Sequence, residues 1–96
     1  MKVIWSDRAL RSLAQMHARI SGQSSEEEAN RFIDRLLQRG DQLESFQRLG
    51  RKVSHHNRTD IRELVEPPYR IVYRIRKSRV EVIDVFHGAR RPPWER

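Results

Sequence analysis

From Tyr69 to Arg76 the chain reads Tyr-Arg-Ile-Val-Tyr-Arg-Ile-Arg, and no other stretch restricts the fold so tightly. Successive side chains of a strand point to opposite faces. Tyr69, Ile71, Tyr73 and Ile75 therefore share one side, and Arg70, Val72, Arg74 and Arg76 the other. The first side is apolar and needs a cover, whereas the second carries guanidinium groups. A strand with one dry and one charged face belongs to an antiparallel sheet packed on a single side.

The flanking sequence supplies both the sheet and the cover. Ile61–Val65 and Arg79–Phe86 are β-rich runs set off from the central one by Pro67-Pro68 and Lys77-Ser78, which predicts three consecutive strands in an antiparallel meander. Val80–Phe86 is almost continuously apolar, as suits an interior strand covered on both faces. Upstream, Lys2–Trp5 reads as a short first strand, with Trp5 anchoring it to the core, and Ser6-Asp7 caps a helix. Leu10, Leu13, Ala14, His17 and Ile20 recur at helical steps from Asp7 to Ile20, and Ser21-Gly22 predicts the stop. Ser25 and Glu28 form a capping box for a second helix. Its apolar stripe runs through Ala29, Phe32, Ile33, Leu36, Leu37, Leu43 and Phe46, interrupted by Gly40, a point of local weakness or close packing. Leu49-Gly50-Arg51 ends this unit, and residues 52–59 predict a loop.

The expected class is α+β in the order β-α-α-β-β-β, an N-terminal strand and an antiparallel helical hairpin packed on one face of a curved antiparallel sheet. Ninety-six residues make one domain, 1–96, with residues 90–96 as a flexible tail.

Twenty Lys and Arg against 13 Asp and Glu give a formal charge of +7, with arginine far outnumbering lysine. Such a balance calls for an anionic partner held by bidentate contacts. The absence of cysteine excludes disulfides, thiolate metal sites and thiol nucleophiles. With no apolar run of roughly 20 residues, the expectation is a soluble cytoplasmic protein without membrane contact. The adjacent His55 and His56 read as a solvated loop, and neither a metal nor a cofactor is expected.

Arg58 and Arg62 alternate on the preceding strand, so pairing is expected to bring them beside Arg70, Arg74 and Arg76 as a phosphate-binding surface. The plainer alternative is that these arginines maintain solubility and block edge pairing. His87, at a strand end before Gly88-Ala89-Arg90-Arg91, has the chemistry to move a proton beside a bound phosphate, or simply to hydrogen-bond backbone. Tyr69 and Tyr73 read as core, and Trp94 as part of the tail, free to contact a partner or none.

Arg62-Glu63-Leu64, Pro68-Tyr69-Arg70-Ile71-Val72-Tyr73-Arg74 and Val85-Phe86-His87-Gly88-Ala89-Arg90-Arg91-Pro92 resemble the C-terminal half of the RelE/ParE toxin superfamily. Ser6-Asp7-Arg8-Ala9-Leu10, Ala29-Asn30-Arg31-Phe32-Ile33 and Leu49-Gly50-Arg51 are similar to ParE-type sequences at corresponding places. The resemblance implies a type II toxin that arrests growth and is held by a cognate antitoxin in a toxin–antitoxin hetero-oligomer. ParE-like members poison DNA gyrase; RelE-like members cleave mRNA on the ribosome without a metal. A third alternative is an inactive homologue that only binds antitoxin or nucleic acid. If this chain were a ribosome-dependent RNase, Arg70 and His87 would be its catalytic residues. Arg62, Arg70, Arg74, Arg76, Arg90 and Arg91 would grip the target, with Arg51 and Lys52 beside them. The His-Gly-x-Arg-Arg ending and the Pro-Tyr-Arg-Ile-Val-Tyr core look more like ParE, and Gly88 stands where some RNases carry an aromatic residue.

Overall fold

The structure, a computed structural model described for residues 1–53 and 61–88, follows this plan. Strand β1 (Lys2–Trp5) leads into helices α1 (Asp7–Gln23) and α2 (Glu26–Asp41), and a 3-10 turn (Gln42–Glu44) leads into β2 (Arg51–Lys52), β3 (Ile61–Glu66), β4 (Tyr69–Ile75) and β5 (Arg79–His87). The sheet order is β1-β5-β4-β3-β2. β3, β4 and β5 form the expected meander, while β1 runs parallel to β5 at one edge, so the sheet is mixed.

The helices start where their caps dictate. Ser6 Oγ accepts the Ala9 N–H at 3.0 Å and donates to the Ile83 carbonyl at 2.7 Å, tying the start of α1 to β5. Ser25 Oγ accepts the Glu28 N–H at 3.0 Å. Each cap satisfies a donor that the first helical turn leaves unpaired. The expected stop at Ser21-Gly22 does not occur: α1 continues to Gln23, and Ser24 N–H donates to the Ile20 carbonyl at 2.8 Å. A single glycine costs a helix only about 1 kcal/mol, and the hairpin needs only Ser24 and Ser25 as its turn. The α2 stripe stops short of its expected end, since the chain tightens at Gln42 and leaves Phe46 65% exposed. Gly40 marks close packing: a Cβ there would lie 2.3 Å from Cζ2 of Trp5.

One main core lies between hairpin and sheet, built from Ala9, Leu13, Met16, Leu36 and Leu43 against Leu64, Tyr69, Ile71, Tyr73, Val80, Val82 and Val85. Trp5 packs at its margin, as the sequence predicts. The strand period thus assigns the faces of β4 as read, with Tyr69, Ile71, Tyr73 and Ile75 toward the helices.

Tyr73 is fully buried, and its hydroxyl donates to the Gln47 carbonyl at 2.7 Å while accepting the Gly50 N–H at 2.8 Å. This phenol pins the α2–β2 connection to the sheet. Burial pushes its pKa above the usual tyrosine value of 10.0. Tyr73→Phe takes the hydroxyl from the buried Gly50 N–H and from the half-buried Gln47 carbonyl and is expected to cost about 1–3 kcal/mol in urea unfolding. The folded protein holds the phenolic proton to higher pH than the unfolded chain does. Tyr73's contribution is therefore constant below about pH 10 and declines as pH rises further. Melting curves of the wild type should show this alkaline loss, and those of Tyr73→Phe should lack it.

Candidate target-binding face

The face of β4 turned away from the helices carries Arg70, Val72 and Arg74. Register places Ile61, Glu63 and Val65 of β3 on the same side, opposite Arg74, Val72 and Arg70 respectively. β2 adds Arg51 opposite Glu63. This surface is not the open arginine row that alternation predicts. Val72 is 1% exposed and joins Val53, Ile61 and Phe86 in a second apolar cluster. Apolar packing therefore separates Arg70 from Arg74.

Glu63 organises the basic part of this face. Its carboxylate is buried at 6% exposure and accepts Arg51 Nε at 2.8 Å, with Arg51 Nη2 at 2.7 Å and Arg70 Nη1 at 3.6 Å. The Arg70 guanidinium also lies 5.9 Å from the centre of the Phe86 ring. Two arginines thus share one carboxylate, leaving one unit of positive charge in the cluster. Further along, Arg76 Nε donates to Glu81 at 2.8 Å and Arg79 lies 3.3 Å from the same oxygen. The Arg76 hydrogen bond holds the Glu81 carboxyl below its ordinary range.

Arg62 departs from expectation. It pairs in register with Tyr73 and Lys52, so it projects toward the helix side, where Nη1 donates to the Gly50 carbonyl at 2.8 Å. Its Nε is buried without a hydrogen-bond partner among the described residues. The expectation that Arg62 stands beside Arg70 is corrected: two residues opposed in an antiparallel ladder share a face, and Arg62 is opposed to core-facing Tyr73. Arg51 and Lys52 form a short strand, so the loop predicted from residue 52 does not begin there, and the two alternate across the strand, Arg51 toward Glu63 and Lys52 toward Arg62.

His87 is opposite Tyr69, and their rings meet edge to face at 5.6 Å. Arg70 is opposite Phe86. Arg70 and His87, paired as catalytic candidates, therefore stand on opposite faces of the sheet. Arg58, Arg90, Arg91, His55, His56 and Trp94 lie outside the described residues. Reasoning from sequence passed over Glu63, since an acid within Arg62-Glu63-Leu64 reveals its arginine partners only once the β3–β4 register is known.

A helical hairpin laid on a five-stranded sheet, with guanidinium groups on the far face, defines a RelE/ParE-type toxin domain. More specifically, the chain belongs to the ParE toxin family of type II toxin–antitoxin systems, parDE, whose family model matches residues 3–92. Among solved structures it is similar in fold to a chain of the chromosomal ParDE TA system from P. aeruginosa, with a TM-score of 0.78 and 16% identity over 91% of this chain and 95% of that one. No curated protein sequence matches it at a significant level. The chain is thus a type II toxin with an antitoxin as partner. No helix among the described residues is long and apolar enough to cross a membrane.

Proposed function

We propose that this toxin, acting in the cytoplasm as a single domain over residues 1–96, arrests growth by binding and poisoning DNA gyrase. Family membership supports this reading, and one observation favours it over RNA cleavage: Arg70 and His87 stand on opposite faces of the sheet. In-line cleavage of RNA needs a proton-transfer group and a phosphate-stabilising cation around the same phosphate. Arg70 is moreover engaged by the carboxylate of Glu63. Poisoning by binding demands no such convergence. It needs a stable shape with a charged, partly apolar surface, and Arg51, Arg70, Arg74 and Arg76 offer that on the outer face.

Purified toxin is to be added to gyrase with supercoiled plasmid and, in parallel, to ribosomes translating a defined message. The expected result is gyrase-linked DNA breaks with the message intact, and at least about tenfold weaker poisoning by Arg70→Ala, as for loss of one charge-assisted contact. Message cut in the ribosomal A site, and spared by Arg70→Ala or His87→Ala, would instead establish the RNase. Folded protein with neither effect would leave an inactive homologue that only binds antitoxin or nucleic acid.

A further inference from the structure

On the helix side of the sheet, away from the Arg70 face, α1 and the ends of β4 and β5 enclose a cavity of about 180 Å3. Its lining comprises Ser12, Gln15, Met16 and Arg19 from α1 with Tyr69 and Val85-Phe86-His87 from the strands. Two features of this lining are informative. It contains cationic and donor groups but no carboxylate. And the buried phenol of Tyr69, 4% exposed, accepts a hydrogen bond from Arg19 Nη2. A guanidinium cannot accept, so the Tyr69 hydroxyl keeps its proton available to donate to another acceptor.

We infer that the cavity is an oxyanion site and that its occupant is a carboxylate side chain of the antitoxin. Arg19 supplies a planar fork of N–H donors, the Tyr69 hydroxyl a further donor, and Gln15 an amide at the rim. Such a set matches the two oxygens of an Asp or Glu. Met16 and Val85 give apolar walls that suit the methylene stem of an acidic side chain. A phosphodiester, which carries a sugar on either side, fits poorly in a recess closed by a helix and two strand ends. The acidic partner that a +7 toxin calls for would thus be anchored on the helix side while leaving the outer face to the target. This inference rests on the reading of the chain as a toxin held by an antitoxin.

The test is calorimetric titration of the purified cognate antitoxin into wild-type toxin, Arg19→Gln and Tyr69→Phe, with Lys77→Gln as a control for bulk charge and thermal melts to establish folding. Arg19→Gln and Tyr69→Phe are each expected to weaken binding by about tenfold or more, as for loss of a hydrogen bond to a charged group. Lys77→Gln should change it little. Replacing the antitoxin's Asp and Glu one at a time by Asn and Gln should find one whose loss is no longer felt in Arg19→Gln. Wild-type binding with both cavity variants unchanged, or with no acidic residue coupled to Arg19, overturns the inference while leaving the toxin–antitoxin reading intact. So does loss of affinity for a short DNA duplex in place of antitoxin. If wild-type toxin fails to bind the antitoxin at all, the reading and the inference fall together.

Discussion

Gly50→Ala is expected to destabilise the fold by about 3 kcal/mol, the upper range for an added methyl with nowhere to go. The Cβ would sit 2.6 Å from the Glu63 carbonyl oxygen and 2.8 Å from both Cε1 and the hydroxyl of Tyr73. One of these neighbours is backbone of a sheet strand, and the other is a fully buried ring fixed at both of its hydrogen bonds. Neither can retreat without breaking something else. Moving Gly50 aside breaks its N–H bond to Tyr73 and the Arg62 bond to its carbonyl, both 2.8 Å. Domains of this size are stable by only about 5–15 kcal/mol, so the melting temperature should fall by roughly 12–24 °C. A melt within about 2 °C of wild type would show that the β2 connection yields where it is expected to be rigid.

Glu63→Ala is expected to act on stability and on binding in opposite directions. Removing this carboxylate leaves Arg70, 29% exposed, and Arg51, 66% exposed, without their shared counter-ion. Stripping one partner from a fully buried pair costs about 3–5 kcal/mol. The exposure of Arg51 reduces that here to about 2 kcal/mol. The same change frees both guanidinium groups on the outer face. Affinity for duplex DNA at 0.1 M salt should rise by about tenfold, and the salt dependence should steepen by about one unit, as for one additional phosphate contact. Glu63→Gln, which keeps the shape, should give most of the gain in affinity at a smaller loss of stability. Fluorescence anisotropy across a salt series reads both quantities. Unchanged affinity in both variants would mean that Glu63 is a structural strut and that the Arg51–Arg70 cluster does not meet phosphate.

What sequence determined alone is whatever depends on local period and capping. Ser6 and Ser25 begin the two helices because a hydroxyl just ahead of the first turn satisfies one of its orphan N–H groups. Tyr69, Ile71, Tyr73 and Ile75 face the core because strand side chains alternate. The family was legible too, since its motifs hold their order along the chain. Tertiary structure decided whatever depends on which strands lie side by side. β1 pairs in parallel with β5, a contact between residues far apart in sequence. Arg62 and Arg70 look equivalent when each strand is read by itself, yet the β3–β4 ladder opposes Arg62 to Tyr73 and Arg70 to Val65, and so sends them to opposite faces. The Glu63 cluster and the Arg19–Tyr69 cavity likewise exist only once elements meet. A side chain's period follows from its own strand, whereas its charge partners follow from register, which long-range packing sets.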